Sequence, residues 1–305
     1  MKGWIINPML PMKLRTIGVL SIALGLVVAL AVTAFPTAAT AQDALICRKR
    51  DKQGDKSGGV TRLKGKKGRY YNAGDGNDTL YGTPGDDILN GGRGHDKVYG
   101  MGGNDVVCGG LNNDKLYGGD GNDALYGEEQ NDYLSGGPGN DYMNGQADPD
   151  RIEGFGVLKG GGFTADGDDF IEGSFEKDVI TTGGFDIAYG GADDDIITAK
   201  DVVEGTGAER LDGGLNDDTI TGSSADDKLL WGDPGNDTIR GGGGADTIYG
   251  GNNDDNLFGD AGDDEIFGEL GKDSLSGGPD TDVCDGGEQT NSYDDTCERR
   301  VNKKR

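Results

Sequence analysis

A nine-residue repeat constrains the fold of this chain more than any other feature of its sequence. Over residues 74–154 an aspartate recurs every nine positions, and an apolar residue follows two positions later, as in the pair Asp78 and Leu80. The same phase returns between Asp237 and Asp282. A unit with one apolar residue in nine cannot bury a core alone, so it must stack on copies of itself. The repeat therefore predicts a solenoid.

The residue order within each unit predicts the shape of one coil. The three residues after each aspartate, such as residues 79–81, alternate polar, apolar and aromatic, which predicts a short strand with its middle side chain facing inward. The glycines and Asn-Asp pairs before the strand favour a tight turn. Two units then make an 18-residue coil, and successive coils stack as parallel strands about 4.8 Å apart. The predicted fold class is all-β, a parallel β-roll of nonapeptide repeats.

The repeated aspartates are predicted to form two rows, one along each edge of the stack. Adjacent carboxylates in a row lie roughly 5 Å apart in this arrangement, and each unpaired neighbour pair costs about 3 kcal/mol at an effective dielectric of 20. The inward side chain of each unit supplies only about 1.5–3 kcal/mol on burial. We therefore expect the stack to need cations between its turns. In the first array one row holds Asp78, Asp96, Asp114, Asp132 and Asp150, and the other holds Asp87, Asp105, Asp123 and Asp141.

The available donors favour calcium. Carboxylates and loop carbonyls are abundant, whereas the sequence has a single histidine, His95, and no C-x-x-C spacing. Hard oxygen donors in a flexible glycine-rich loop suit Ca²⁺ better than Mg²⁺ or Zn²⁺. An ion that joins turns one coil apart gives roughly seven sites in the first array. The predicted metal ligands are Asp78, Asp87, Asp96, Asp105, Asp114, Asp123, Asp132, Asp141, Asp150, Asp169, Asp178, Asp195, Asp218, Asp227, Asp237, Asp246, Asp255, Asp264, Asp273 and Asp282.

Residues 118–126 and 136–144 carry every fixed position of a known motif, G-G-x-G-x-D-x-U-x. The repeat resembles the RTX, or hemolysin-type, calcium-binding nonapeptide. The resemblance covers about three quarters of the chain. It implies a right-handed β-roll in which the sixth-position aspartate and turn carbonyls hold several Ca²⁺ ions. The chain resembles short secreted calcium-binding proteins of actinomycete type, in which no enzyme domain accompanies the repeats.

The N-terminal residues 1–41 are predicted to be a secretory signal peptide. Basic residues precede an apolar run over residues 17–35, and an A-x-A cleavage site ends at Ala41. An uncleaved membrane anchor is the alternative, and Met12 is an alternative start. Many RTX proteins use a C-terminal export signal instead, but this chain ends in basic residues. We expect a secreted protein whose mature form does not span the membrane.

The two ends of the chain are basic, although the net charge is −26. Residues 42–72 are predicted to be a cap over the first coil, formed with Val60, Leu63, Tyr70 and Tyr71, or a basic arm that docks on anionic cell-wall polymer, glycans or lipid head groups. Residues 287–305 form a basic tail. The strongly acidic repeats exclude nucleic acid as a partner of the array.

The four cysteines indicate an oxidising compartment. We expect one disulfide at each end of the solenoid, although four cysteines allow three pairings. The favoured pairs are Cys47 with Cys108 and Cys284 with Cys297. Cys108 occupies an outward-facing slot, where an N-terminal cap could reach it.

The repeats are divided by a degenerate section. The first array spans residues 73–154, the irregular section 155–213 and the second array 214–286. In the irregular section Asp186 lies one residue short of the period, and Glu209 stands where an aspartate is expected. Five of the chain's phenylalanines fall here, and they either fill a bulged roll or form a partner-binding face. The predicted inward residues of the second array are Ile220, Leu229, Ile239, Ile248, Leu257, Ile266 and Leu275.

Outward aromatic residues recur at 18-residue spacing, as at Tyr81, Tyr99 and Tyr117, and again at Tyr249 and Phe267. Such ladders either pack across strands or grip sugars.

No enzymatic activity is expected. The acidic pairs recur with the repeat and serve the turns, and no G-x-S-x-G, H-E-x-x-H or phosphate-loop motif is present. The sequence predicts a secreted calcium-binding protein that folds on binding Ca²⁺ and has a structural, cell-surface or adhesive role. The alternatives are a C-terminal-type calcium module that supports a separate enzyme or partner, and the remnant of an RTX enzyme such as an alginate epimerase.

Overall fold

The computed structural model describes residues 58–65, 70–155, 167–201, 207–287, 289–294, 296–297 and 299–302. All of them belong to one compact unit, Pro36–Arg305. The predicted signal peptide, most of the basic segment before residue 58, and Cys47 lie outside the described residues. Within the described part of the chain, no helix has the length and hydropathy needed to cross a membrane.

The described residues form 26 strands. Most have three to six residues, and each begins just after a turn. They are β1 (Val60–Arg62), β2 (Tyr70–Asp75), β3 (Thr79–Tyr81), β4 (Ile88–Arg93), β5 (Lys97–Gly102), β6 (Val106–Leu111), β7 (Lys115–Asp120), β8 (Ala124–Glu129), β9 (Tyr133–Ser135), β10 (Tyr142–Ala147), β11 (Arg151–Glu153), β12 (Phe170–Ser174), β13 (Val179–Gly183), β14 (Ile187–Ala192), β15 (Ile196–Lys200), β16 (Arg210–Leu215), β17 (Thr219–Thr221), β18 (Leu230–Pro234), β19 (Thr238–Gly243), β20 (Thr247–Asn252), β21 (Asn256–Ala261), β22 (Glu265–Leu270), β23 (Ser274–Ser276), β24 (Val283–Gly287), β25 (Ser292–Tyr293) and β26 (Arg299–Asn302).

The strands build two parallel sheets of 13 strands each, one from the odd-numbered and one from the even-numbered strands. Every strand pairs with the strand two positions further along the chain. In the first array the paired residues are 18 apart, as in the pairs Leu80 with Val98 and Leu89 with Val107. The parallel β-roll with 18 residues per coil, predicted from the nine-residue period, is therefore confirmed.

The core is a single column of side chains between the two sheets. Each strand from β3 to β23 contributes an inward residue, such as Leu80 of β3 and Leu89 of β4, because strand side chains alternate between the two faces. From Leu80 to Leu275 these inward residues are almost fully buried and form one cluster. One predicted inward residue is wrong: Leu230 is fully buried in the cluster, whereas Leu229 precedes the strand. The chain absorbs an extra residue between Asp227 and the strand, so the inward position shifts by one.

At the N-terminal end, Leu63 and Tyr71 pack against the core cluster, while the cap formed by residues 42–72 stays a prediction. Val60 is instead exposed on the edge strand β1.

The irregular middle section continues both sheets. The coils there differ in length, with 28 residues from Asp150 to Asp178, 17 from Asp178 to Asp195 and 23 from Asp195 to Asp218. Both sheets continue without a break across these coils, so the differences in coil length lie outside the strands. Most of the predicted glycine-rich insertion lies outside the described residues.

The disulfide between Cys284 and Cys297 is confirmed, with a Cα–Cα distance of 5.8 Å. Cys108 is also disulfide-bonded. It is fully buried on the outer side of the second sheet, in a small cluster with Ala124 and Tyr126. Its predicted partner Cys47 lies outside the described residues, so that pairing stays a prediction.

The tyrosine ladder on the first sheet is closely stacked. The ring centroids of Tyr81 and Tyr99 are 4.8 Å apart and those of Tyr99 and Tyr117 are 4.7 Å apart, with interplanar angles of 7° and 4°. The guanidinium of Arg62 lies 4.5 Å from the centroid of the Tyr81 ring. Because each ring covers the face of its neighbour, the ladder presents ring edges to solvent. This geometry favours cross-strand packing over a platform for sugars, which needs open ring faces.

Candidate metal centre

The repeated aspartates lie at the turn-to-strand junctions and are joined by a ladder of hydrogen bonds. The backbone N–H of each aspartate donates to the carboxylate oxygen Oδ1 of the aspartate one coil later. The N–H of Asp78 donates to Asp96 at 2.7 Å, and the N–H of Asp87 donates to Asp105 at 2.6 Å. The strand geometry turns each side chain inward beside the core column, so all row aspartates except Asp78 are buried.

These bonds place every predicted ligand in one of two rows, as the sequence predicted for the first array. The first row contains Asp78, Asp96, Asp114, Asp132, Asp150, Asp178, Asp195, Asp218, Asp237, Asp255 and Asp273. The second contains Asp87, Asp105, Asp123, Asp141, Asp169, Asp227, Asp246, Asp264 and Asp282.

The second row also holds a residue absent from the predicted set. Asp186 is fully buried, and its Oδ1 accepts from the N–H of Asp169 at 2.9 Å. Because this coil has 17 residues, Asp186 does not fall on the nine-residue period. The apolar residues Ile187 and Ala188 that follow it could have identified it as a row aspartate.

The expectation for Glu209 is wrong. Ala208 takes the row position, and its N–H donates to Oδ1 of Asp227. Glu209 instead forms an exposed ion pair with Lys228. The coil that begins at Ala208 carries the same extra residue before its strand as the coil that begins at Asp227, so the two bulges stack. The second row therefore lacks a carboxylate at this coil.

For most row aspartates, a glycine five residues earlier makes room for the carboxylate; Asp78 and Asp169 have Ala73 and Thr164 at that position. At Gly100 an added Cβ would lie 2.4 Å from Oδ2 of Asp105 and 2.4 Å from the carbonyl oxygen of Gly118. Any larger residue would overlap both oxygen atoms. The glycine thus creates a cradle in which a carboxylate oxygen and a backbone carbonyl oxygen from the next coil face the same space.

The second carboxylate oxygen is the distinctive feature of the rows. In many row aspartates Oδ2 is buried and accepts no hydrogen bond from the described residues. A buried carboxylate oxygen without a donor is costly, because burial removes its water without replacing it. Those aspartates are Asp96, Asp105, Asp114, Asp123, Asp132, Asp150, Asp178, Asp195, Asp218, Asp237, Asp246, Asp255, Asp264 and Asp273.

Burial raises the pKa of these carboxyls far above the usual value. It raises the pKa of Asp105 to about 8 and that of Asp114 to about 9. The donated N–H of the preceding coil opposes this rise in both cases, and neighbouring carboxylates of the row add to it. A row with such pKa values either holds protons near neutral pH or binds cations.

In three row aspartates the second oxygen accepts a hydrogen bond. In Asp87 and Asp227 Oδ2 accepts from the backbone N–H of Thr83 at 2.5 Å and of Ser223 at 2.7 Å. Asp186 does the same with the N–H of Gly183 at 2.7 Å. These three carboxylates all belong to the second row. Their second oxygen is already engaged, which makes them weaker candidate ligands than the other row members.

A second ladder runs along the turn tips and was missed by the sequence analysis. In many coils the Asn or Asp before a row aspartate accepts, through its side-chain oxygen, a hydrogen bond from the backbone N–H of the equivalent residue one coil later. The N–H of Asn104 donates to Asp86 at 2.8 Å and the N–H of Asn122 donates to Asn104 at 3.0 Å. In this ladder the later coil donates to the earlier coil, whereas in the aspartate rows the earlier coil donates to the later one. The repeated Asn-Asp pair is consistent with this ladder, but it did not predict the ladder, because turn formation alone already explains the pair.

The donor set along the rows consists of oxygen atoms. Within the described residues, no cluster of three or more His, Cys, Asp or Glu side chains has metal-binding geometry. An ion at the rows would therefore take carboxylates from adjacent coils and complete its shell with backbone carbonyls. Flexible all-oxygen sites of this kind suit Ca²⁺.

The profile of the RTX calcium-binding nonapeptide repeat (four copies) matches more than half of the chain. The matched residues are 72–107, 81–116, 108–143, 117–152, 178–201, 205–230, 231–266 and 258–293. The chain belongs to the RTX calcium-binding repeat family. Comparison with curated proteins gave no match. The repeats of this RTX chain are thus those of a calcium-binding family, and all buried row aspartates except Asp169 lie within the matched segments.

Proposed function

We propose that this RTX solenoid is a secreted, non-catalytic protein that binds several Ca²⁺ ions along its aspartate rows and folds when it binds them. The observation that carries the proposal is the line of buried Oδ2 atoms without donors. A cation beside these Oδ2 atoms supplies the positive charge that their missing hydrogen-bond donors do not.

The residues that would hold the ions are the row aspartates with a free second oxygen, together with glycine carbonyls such as that of Gly118. When bound, Ca²⁺ supplies positive charge and accepts electron pairs from these oxygens. The chain's own contribution is to hold the carboxylates at one-coil spacing through the Oδ1 ladder. It also keeps the cradle open with glycine and excludes water by burial.

Folding on calcium binding follows from the energetics of the row. A typical nine-residue unit buries one inward side chain but also one row carboxylate, so the folded state without cations carries uncompensated buried charge. Extracellular calcium modules bind Ca²⁺ at about 0.1–1 mM. Such a chain would stay unfolded at low cytosolic Ca²⁺ and fold outside the cell. The disulfide between Cys284 and Cys297 supports an oxidising location.

The proposed role is structural or adhesive at the cell surface, with the basic segment 42–72 as the part that contacts anionic wall polymer. A protein lacking residues 1–41 is expected to sediment with purified cell walls in Ca²⁺, and deletion of residues 42–57 is expected to release it. A soluble protein that walls do not retain would support a module for a separate partner.

Calcium-dependent folding is tested by far-UV circular dichroism of residues 42–305 during a Ca²⁺ titration, with Mg²⁺ as the control ion. We expect a cooperative transition from coil to β-structure near millimolar Ca²⁺, and none with Mg²⁺. A β signal that persists after chelation at pH 8 would sink the proposal.

Two variants test the assignment of ligands. Asp105→Asn keeps an oxygen for the N–H of Asp87 but removes the charge and the second oxygen, so the Ca²⁺ midpoint should rise about tenfold. Asp86→Asn makes the same charge change at an exposed tip-ladder residue in the preceding coil and keeps its acceptor. Its midpoint should stay close to that of the unmodified protein. Equal midpoints in the two variants would contradict the row as the binding site.

A further inference from the structure

One edge of the solenoid carries exposed apolar side chains at its turn tips. Phe175 is 65% exposed and Leu215 is 52% exposed. Both lie three residues before a row aspartate, at a position that in other coils of this edge carries charged residues such as Asp75, Arg93 and Glu129, and also Leu111 and Leu270. Neither side chain belongs to the core, so the fold does not need them to be apolar.

Neighbouring coils extend this feature into a strip. Ala192 pairs with Leu215 in adjacent strands, and Phe175 lies one residue beyond the pairing of Ser174 with Gly191. Pro234 holds the same position in the coil after Leu215. Its carbonyl oxygen accepts a hydrogen bond from the backbone N–H of Asn216, the residue after Leu215. We name the set Phe175, Ala192, Leu215 and Pro234 the apolar edge strip.

The strip has a notch at its centre. Ala192 projects only a methyl group, and the larger side chains of Phe175 and Leu215 flank it one coil away on either side. With coils about 4.8 Å apart, the two large side chains are separated by about 10 Å. That spacing admits one apolar side chain of a partner, and anchors of this kind dominate binding energy at interfaces.

The surroundings of the notch are acidic. Glu176, Asp193, Asp194 and Asp217 are exposed in the same turns. Lys177, the basic residue among them, is paired with Asp194. A basic partner is complementary to this rim, whereas a second copy of the chain, with a net charge of −26, would bring acidic surface against acidic surface.

We propose that the apolar edge strip docks a basic segment of another protein, which inserts an apolar side chain over Ala192 between Phe175 and Leu215. Lysine or arginine residues on either side of that side chain pair with the acidic rim. This assignment uses part of the irregular section as a partner-binding face. It does not depend on which ion occupies the aspartate rows, only on the folded solenoid.

The proposal is tested with two fluorescent peptides and the folded protein in 2 mM Ca²⁺, a concentration on the order of that at which extracellular calcium modules are filled. One peptide has a central leucine flanked by two lysines on each side, and the other has serine at the centre. Both carry the same charge, so any general attraction to the acidic surface is common to them. Fluorescence anisotropy at low salt measures the affinity of each peptide.

We expect the leucine peptide to bind the unmodified protein about tenfold more tightly than the serine peptide, because its side chain leaves water. The double variant Phe175→Ser/Leu215→Ser should abolish this difference. Leu270→Ser is the matched control, because Leu270 holds the equivalent turn position outside the strip and is 46% exposed. It should keep the tenfold difference. Each variant is first required to give the far-UV circular dichroism of the unmodified protein.

Three results would overturn the proposal. The first is an equal affinity of the two peptides for the unmodified protein. The second is a leucine preference that persists in the double variant. The third is a concentration-dependent dimer, seen by analytical ultracentrifugation and lost in the double variant, which would assign the strip to self-association.

Discussion

At the scale of single residues, two kinds of glycine serve the turns for different reasons. Gly119 and Gly121 have φ values of +115° and +134°, which side-chain-bearing residues rarely adopt. Gly100 has no such requirement and is needed because its missing side chain leaves room for two oxygen atoms. The sequence motif shows only that glycine recurs, whereas the structure separates a conformational need from a spatial one.

This distinction predicts that two alanine substitutions in the same repeat differ in their effect on the free energy of unfolding. Gly100→Ala places a methyl group against Oδ2 of Asp105 and a backbone carbonyl, so it should lower the free energy of unfolding by about 1–3 kcal/mol and raise the Ca²⁺ midpoint. Gly102→Ala is the control. A Cβ there lies 3.6 Å from its nearest neighbour, and the free energy of unfolding should change by less than about 1 kcal/mol. Thermal unfolding in Ca²⁺ measures both, and a more harmful Gly102→Ala would contradict the cradle.

At the scale of strands and coils, the period predicted most of the fold because each coil depends only on its neighbours. One aspartate and one apolar residue per unit were enough to assign the sheets, the rows and the coil length. The positions of bulges were not predictable in the same way. With one extra residue between Asp227 and the strand, the sequence allows either Leu229 or Leu230 as the inward residue. The neighbouring coil, which begins at Ala208 and carries the same extra residue, selects Leu230. Asp186 was missed for a related reason. Its coil is one residue short, so Asp186 falls outside the nine-residue count, although its carboxylate still lies in the second row.

The same nearest-neighbour character predicts a local effect of the C-terminal disulfide. Cys284 is an inward core residue of β24, and its bond to Cys297 closes a short loop at the last coils. With a sequence separation of 13 between the cysteines, the cross-link is worth about 3 kcal/mol. In Cys284→Ala/Cys297→Ala, amide hydrogen exchange should become faster in β22–β26 while β4–β8 keep their protection. Uniformly faster exchange along the chain would show that the solenoid unfolds as one unit instead.

At the scale of the whole molecule, the aspartate rows couple folding to pH as well as to cations. Burial raises the pKa of Asp105 and Asp178 to about 8 and that of Asp114 to about 9, from a model-compound value of 3.8. Between pH 4 and pH 8 these three carboxyls therefore hold protons in the folded chain that they have released in the unfolded chain. Stability without cations is then greatest below the unfolded pKa and falls as pH rises through the folded values.

The coupling predicts opposite pH effects with and without calcium. In calcium-free buffer prepared over a chelating resin, lowering the pH from 8 to 5 should restore part of the β signal in far-UV circular dichroism, because protons neutralise the buried carboxyls. In a Ca²⁺ titration the same change should raise the Ca²⁺ midpoint, because protons then compete with the ion for the same oxygens. Sedimentation velocity at each pH is needed as a control, since the sequence pI is about 4.2 and aggregation would mimic gained structure. A calcium-free β signal that grows as pH rises would mean that the row carboxyls are not the groups opposing the fold.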